Sequence, residues 1–167
     1  MLILGIDPGI ARIGYGIVKD EKGNLIPISY GCIITSPQTI FPLRLKKIYE
    51  EILKIIKEFK PEIVVIEKLF FAKNIKTAIS ISQAQGVIIL ASIMSGISIK
   101  EYTPLEVKQS VTGFGKADKK QVQVMIKHIL KLKEIPKLDD TADALALAIC
   151  YLNFAKFEKQ IKNKLNT

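Results

Sequence analysis

Short apolar or alternating stretches near the start of the chain predict β-strands. Residues 2–7 are an apolar run that is followed by a Pro-Gly turn signal. Residues 12–19 and 25–35 have the composition of strands and are joined by a turn at residues 21–24. The pattern therefore predicts three consecutive antiparallel strands, the last two of which form a hairpin.

After the third strand the hydrophobic period changes to that of helices. Between residues 42 and 60, apolar side chains recur every three or four positions with Lys and Glu between them, which is typical of an amphipathic helix. The mostly apolar residues 62–66 and the segment 97–102 predict two further strands that are separated by helical sequence. The remaining helices are predicted at residues 75–95, from residue 104, at 117–132 and at 139–157.

The predicted order of elements is β-β-β-α-β-α-β-α-α-α. Three antiparallel strands and then two strands reached by helical crossovers make a mixed five-stranded sheet flanked by helices, which is an α/β fold. The length of 167 residues fits one domain. We expect this domain to span residues 1–157, and we expect residues 158–167 to be a flexible basic tail.

The charge of the chain points to a polyanionic partner. There are 25 Lys and Arg residues against 16 Asp and Glu, and the net charge is +9. A soluble domain this basic usually binds nucleic acid or another polyanion, although basic residues can also serve solubility alone. The composition therefore favours nucleic-acid binding without settling it.

The cellular compartment is predicted from the cysteines and from the apolar runs. Cys32 and Cys150 are far apart in apolar surroundings, which favours free thiols in a reducing compartment. The N-terminus does not resemble a signal peptide. The longest nearly apolar run, residues 87–94, is well short of the ~20 residues of a membrane span. We therefore expect a cytoplasmic protein that does not enter a membrane.

Four carboxylates occupy positions that suit a metal site. Asp7 and Glu67 each end an apolar strand, and Asp140 and Asp143 lie three residues apart on one face of the last predicted helix. If the first strand and the strand before Glu67 are parallel neighbours, their carboxyl ends meet at one edge of the sheet. Mg²⁺ prefers oxygen ligands, and two such ions about 4 Å apart can clamp a phosphoryl displacement.

Each of these residues also has an ordinary structural explanation. Asp7 precedes a turn, where Asp is common, and Glu67 could be a solvated strand end. Asp139, Asp140 and Asp143 could cap a helix and interact with its dipole. Only the combination of the carboxylates favours a metal site.

Five segments in order carry a resemblance to a known family. They are residues 4–9 (LGIDPG) with 14–16 (GYG), 66–74 (IEKLFFAKN), 83–87 (QAQGV), 107–109 (VKQ) with 113–122 (GFGKADKKQV), and 140–146 (DTADALA). Together they resemble the RuvC family of crossover junction endodeoxyribonucleases, which have a ribonuclease H-like fold. The resemblance extends from residue 1 to about residue 155.

The resemblance implies a catalytic tetrad that binds metal. By position, the tetrad falls on Asp7, Glu67, Asp140 and Asp143. It would hold two Mg²⁺ ions, for which Mn²⁺ could substitute, and no organic cofactor is implied. Asp139 is a neighbour that could be confused with Asp140.

The resemblance also implies residues that contact DNA. Lys108 and Lys119 are expected to contact phosphate or to stabilise charge in the transition state. Phe70 is expected to stack on a base near the crossover, which is worth about 1–3 kcal/mol. Lys73 and Lys116 are further candidates. Ordinary solvated lysines and a core-packing Phe70 are the alternative explanations.

The function implied by the resemblance is the resolution of four-way (Holliday) DNA junctions. Two active sites of a homodimer would nick symmetrically related strands, leaving 5′-phosphate and 3′-hydroxyl ends, in recombination and repair. A branch-migration helicase complex is the expected partner. The long helix at residues 75–95 contains small residues that would let another helix pack closely, in its own chain or in a partner.

Three other functions remain open from the sequence. One is another ribonuclease H-like nuclease of the RuvX/YqgF group, acting on RNA or simpler DNA. The second is an actin-like phosphotransferase, although that class needs two such domains around a nucleotide. The third is a basic junction-binding protein without catalysis.

Overall fold

The computed structural model of the protein describes residues 1–68 and 75–165. The strands are β1 (Leu2–Asp7), β2 (Arg12–Glu21), β3 (Asn24–Ile34), β4 (Ile63–Glu67) and β5 (Ser98–Tyr102). The helices are α1 (Phe41–Phe59), α2 (Ile75–Met94), α3 (Pro104–Thr112), α4 (Lys119–Ile129) and α5 (Asp139–Leu165). The order of elements that the hydrophobic pattern predicts is confirmed.

The strands form one mixed sheet in the order β3-β2-β1-β4-β5. β1–β2 and β2–β3 pair antiparallel, whereas β1–β4 and β4–β5 pair parallel. In the parallel pair of β1 and β4, Ile6 lies opposite Ile66. Asp7 and Glu67, the last residues of these two strands, therefore lie side by side at the carboxyl edge of the sheet, as the sequence predicts.

Helices cover both faces of the sheet and create two hydrophobic cores. Side chains alternate along β1, so that Leu4 packs with α1 and α2 whereas Ile3 packs with α3, α4 and α5. Cys150 is buried in the second core and Cys32 is half-buried. Both thiols lie in the described part of the chain and are free, as predicted.

Helix α5 lies directly on β1 and β2 because glycines face it. A Cβ atom added to Gly5 would lie 2.0 Å from the carbonyl oxygen of Ala144, and one added to Gly14 would lie 1.8 Å from that of Asp140. A side chain at either position would push the helix away from the sheet. These glycines therefore bring the first turn of α5 over the end of β1.

Two helix boundaries differ from the prediction. α4 begins at Lys119 because Asp118 forms a capping box with Gln121, and it ends before Lys131, which has a φ of 51°. α5 continues to Leu165, beyond the predicted end at residue 157. Its last residues are mostly good helix formers, and extending an existing helix avoids a new nucleation step. The flexibility of residues 158–167 stays a prediction.

Helix α2 has an apolar side that the rest of the described chain leaves exposed. Its segment Thr77–Met94 has a mean hydropathy of 1.5 and is only 28% buried, so by length and composition alone it could cross a membrane. A single such helix is weak support for a membrane span. The opposite side of α2 packs on the sheet and carries the buried Gln85, which makes α2 a packed helix.

Candidate active site

A cavity of about 200 Å³ lies beside the carboxyl ends of β1 and β4. Three of the predicted carboxylates line it, namely Asp7, Glu67 and Asp143. Lys108 of α3 and Lys119 of α4 also line it. The structure therefore brings residues from five separate elements to one concave site.

Glu67 is positioned through its backbone by a buried glutamine. Gln85 of α2 donates a hydrogen bond from Nε2 to the carbonyl oxygen of Glu67, at 3.3 Å. The same amide donates to Glu101 Oε1, at 3.1 Å. Because a buried polar group must find partners, these bonds fix α2 against the ends of β4 and β5. Sequence reasoning recognised the segment around Gln85 only as a family motif.

The start of α5 supplies three acidic residues with different partners, namely Asp139, Asp140 and Asp143. Lys119 Nζ lies 3.1 Å from Asp143 Oδ2 and 3.4 Å from Asp139 Oδ2. Gln123 Nε2 donates to Asp139 Oδ1 at 2.8 Å. Asp140 instead faces Arg12 at the start of β2, with 3.2 Å between Nε and Oδ2.

The carboxylates repel one another in a partly desolvated site. Burial raises the pKa of Asp7 to about 8, and the negative charges of Asp143, Glu67 and Asp140 add to the shift. Burial is also the main cause of the raised pKa values of Glu67 and Asp143. Such a site favours either protonation or a bound cation.

The pKa of Asp139 is shifted in the opposite direction to that of Asp7. The hydrogen bond from Gln123 and the charge of Lys119 lower its pKa, and its side chain is 57% exposed. Asp140, by contrast, is one of the three carboxylates that raise the pKa of Asp7. The structure therefore separates Asp139 from the carboxylates that gather around Asp7.

The acidic residues fit a hard divalent cation in charge and in donor type. Their side chains are, however, too far apart in this structure to bind one ion together. In the part of the chain that the structure describes, no three His, Cys, Asp or Glu side chains are grouped so that they could hold a metal ion as they stand. However, Asp140 Oδ2 is buried and receives no hydrogen bond from the described residues, although Arg12 is close. An unsatisfied buried carboxylate oxygen beside carboxylates of raised pKa is a ready ligand.

The predicted DNA-contact residues fall into three groups. Lys108 and Lys119 line the cavity. Lys116 is exposed in the connection between α3 and α4 and is not part of the lining. Phe70 and Lys73 lie outside the described residues.

Sequence reasoning missed Arg12 as a residue of this site. Its position at the start of β2, directly after the turn that follows Asp7, was the available signal. Its contact with Asp140, however, joins residues 128 positions apart in the chain. Only the placement of α5 on β2 creates it.

The fold and the site define the class of protein. A mixed sheet of order β3-β2-β1-β4-β5, with acidic residues gathered at the ends of β1 and β4, is the ribonuclease H-like arrangement. The family model described as "Crossover junction endodeoxyribonuclease RuvC" matches residues 3–151. The chain belongs to the RuvC family, as its sequence motifs predict.

Individual relatives agree with this assignment over nearly the whole chain. The crossover junction endodeoxyribonuclease RuvC of Finegoldia magna is 52% identical over 158 residues, which cover 95% of this chain and 96% of the relative. The structure of Thermus thermophilus RuvC is 34% identical with a TM-score of 0.88, and the match covers 95% of this chain and 97% of that one. The T. thermophilus RuvC complex with a Holliday junction substrate is 32% identical with a TM-score of 0.87, covering 94% and 96%.

Proposed function

We propose that this protein is an endonuclease that resolves four-way DNA junctions by paired symmetric nicks, in recombination and DNA repair. The observation that carries the proposal is the cavity in which Asp7, Glu67 and Asp143 meet Lys108 and Lys119. A similar chain, T. thermophilus RuvC, has been solved with a Holliday junction substrate. Hydrolysis would leave a 5′-phosphate and a 3′-hydroxyl.

The proposed metal ligands are the four predicted carboxylates, Asp7, Glu67, Asp140 and Asp143. We infer that they hold two Mg²⁺ ions, for which Mn²⁺ can substitute. Bound there, divalent ions lower the pKa of an attacking water and neutralise charge on the phosphate and the leaving oxygen. The raised pKa of Asp7 and the unsatisfied Oδ2 of Asp140 support this assignment.

The lysines of the cavity complete the proposed chemistry. Lys119 and Lys108 lie among the carboxylates, where they can bind the scissile phosphate and offset the negative charge that develops on its oxygens. Lys119 also holds Asp143 in place through their ion pair. The exposed Lys116 is assigned to the DNA backbone nearby, and the assignments of Phe70 and Lys73 to DNA rest on the family motif.

A homodimer is proposed because paired nicks need two sites on one junction. Exposed apolar positions of α2 form one stripe at helical spacing: Ile79, Leu90 and Ile93 are each more than half exposed. Gly86 lies on the same stripe, and nothing lies within 4 Å of a Cβ atom built on it. This stripe suits close packing against a second copy of α2. The branch-migration helicase partner and the cytoplasmic location stay predictions.

The alternatives receive less support. A nuclease of the RuvX/YqgF group is not favoured, because the RuvC family model matches residues 3–151. A protein that binds junctions without cutting them is not favoured either, because the acidic and basic residues of the cavity are present together.

The proposal is tested by a nicking assay on a labelled four-way junction and a linear duplex of the same sequences, each with Mg²⁺ or with a chelator. We expect paired nicks on the junction only, only with metal. Asp7→Asn should abolish nicking while junction binding is retained, because the basic surface is unchanged. Asp139→Asn is the matched control, since Asp139 is exposed and bound by Gln123.

Other results would change the assignment. Cutting of the linear duplex or of RNA at a similar rate would move the chain to another kind of ribonuclease H-like nuclease. Tight junction binding without cutting in any metal would make it a junction-binding protein. Loss of nicking with Asp139→Asn and not with Asp7→Asn would contradict the assigned ligands.

A further inference from the structure

Arg12 and Asp140 form an ion pair that is close but poorly aligned. Arg12 Nε lies 3.2 Å from Asp140 Oδ2, yet this oxygen accepts no hydrogen bond within the described part of the chain. Asp140 is mostly buried, with 21% of its side chain exposed, whereas the side chain of Arg12 is 53% exposed. Arg12 is therefore a cation at the rim of the acidic site that neutralises Asp140 without fully satisfying it.

Arg12 and Lys119 differ in how many carboxylates hold them. Lys119 contacts both Asp143 and Asp139, and it lines the cavity. The ion pair of Arg12 is with Asp140, one of the proposed metal ligands. A divalent cation bound to Asp140 would take the oxygen that faces Arg12 and would repel the guanidinium. Arg12 would then be released, whereas Lys119 would keep Asp139 as a partner.

A released guanidinium at this rim has an obvious second partner. Arg presents several donors in a planar fork that matches the oxygens of a phosphate group. Arg12 starts β2 at the edge of the sheet where Asp7 ends β1, so its half-exposed guanidinium lies next to the acidic site and is open to solvent.

We propose that Arg12 is a positioning residue that pairs with Asp140 in the absence of metal and binds a backbone phosphate of the junction once a divalent cation occupies Asp140. This inference rests on the proposed function. It makes Arg12 the link between cation binding and DNA binding. By reciprocity, the cation strengthens junction binding through Arg12 by the same factor as the junction strengthens cation binding.

The test measures junction affinity by fluorescence anisotropy in chelator and in Ca²⁺. Ca²⁺ is chosen because it takes oxygen ligands without the octahedral geometry that Mg²⁺ demands, and a gel checks that the junction stays intact. Arg12→Gln should weaken junction binding by about fivefold or more in Ca²⁺. In chelator it should weaken binding by less than about twofold, because Asp140 already occupies Arg12.

Two further variants separate Arg12 from general charge effects. Lys19→Gln removes an exposed cation from the same strand, one whose ion pair is with Glu21, and should not alter the ratio of the two affinities. Arg12→Lys keeps the charge and should restore part of the Ca²⁺ effect. The slope of log affinity against log salt should fall by about 0.9 for Arg12→Gln in Ca²⁺ only, because one phosphate contact is lost.

The outcomes are distinct. Equal weakening by Arg12→Gln in both conditions would make Arg12 a constant phosphate contact and overturn the inference. No weakening in either condition would also overturn it. If Arg12→Gln does not fold, Arg12→Ala and Arg12→Lys replace it in the test. The inference is then overturned if Ca²⁺ strengthens junction binding by these two variants as much as it does for the wild type. A wild-type protein that binds the junction no better than linear duplex would instead refute the proposed function.

Discussion

Asp7 is the residue whose ionisation should destabilise the folded protein in the absence of metal. Burial and three neighbouring carboxylates raise its pKa to about 8, whereas an unfolded chain would have an Asp pKa of about 4. Between these values the folded protein binds more protons than the unfolded chain. In the absence of metal, its stability therefore falls as the pH rises from about 4 to about 8.

Replacing Asp7 should relieve this cost. In chelator at pH 8, we expect Asp7→Asn to raise the melting temperature by at least about 3 °C, because one unit of pKa shift corresponds to ~1.4 kcal/mol and 1 kcal/mol to about 2–4 °C. The gain should be small at pH 4, where Asp7 is protonated in the folded protein and already about half protonated in the unfolded chain. Thermal melts followed by circular dichroism measure it.

Asp139→Asn is the control for this measurement, because the pKa of Asp139 is lowered rather than raised. It should not raise the melting temperature at pH 8. An equal gain for Asp7→Asn at pH 4 and pH 8 would show that repulsion among the carboxylates is not the cause.

At the scale of elements, the contact between α5 and the first hairpin assembles the site. Gly5 and Gly14 allow the backbone of α5 to touch β1 and β2, so that Asp140 and Asp143 come near Asp7. The helix has no other way to approach this closely, because any Cβ at those positions would overlap its carbonyl groups. The glycines thus act on the site through the distance between α5 and the sheet.

Gly14→Ala should therefore harm the site more than the fold. The new Cβ would lie 1.8 Å from the carbonyl oxygen of Asp140, so the first turn of α5 must move. We expect a loss of about 1–3 kcal/mol in unfolding free energy and a fall of about 100-fold in nicking rate. Denaturant unfolding and single-turnover nicking are the measurements.

A matched glycine lies in the connection before α4. A Cβ at Gly115 would meet the side chain of Leu105 at 3.3 Å, and Leu105 is 62% exposed and free to move. Gly115→Ala should have a much smaller effect on both measurements. Equal losses for the two variants would contradict a special role for the close contact at Gly14.

At the scale of the whole molecule, the apolar stripe of α2 is a surface that the described chain leaves uncovered. Ile79, Leu90 and Ile93 are 55–56% exposed on a helix whose other side is packed on the sheet. Leaving such a stripe in water is costly, and a second copy of α2 would bury it. The proposed dimer therefore follows from surface chemistry as well as from the need for paired nicks.

Leu90→Lys should convert the proposed dimer into folded monomers, because it would place a charge in the stripe that the proposed interface buries. We expect sedimentation velocity to show the monomer mass with an unchanged circular dichroism spectrum. On junctions, paired nicks should become independent single nicks.

Leu43→Lys is the control, since Leu43 is a comparably exposed leucine on α1. It should leave the mass of the dimer unchanged. A wild-type protein that sediments as a monomer, or a Leu90→Lys variant that stays dimeric, would contradict the role of this stripe.

The sequence by itself determined the elements and their order, because hydrophobic period, turn residues and helix caps act locally. It also placed Asp7 and Glu67 at strand ends, and its motifs identified the family. The roles of the carboxylates stay predictions, since the residues taken singly allowed ordinary explanations. Helix ends were less well predicted, as at α5, because the sequence around residue 157 contains no residue that clearly ends a helix.

Only the tertiary structure decided which charges meet. The ion pairs of Arg12 with Asp140 and of Lys119 with Asp143 depend on α5 and α4 reaching the same edge of the sheet. The raised pKa of Asp7 arises from burial and from carboxylates distant in the chain. Such effects depend on distances between elements, which no local pattern encodes, and packing through Gly5 and Gly14 sets those distances.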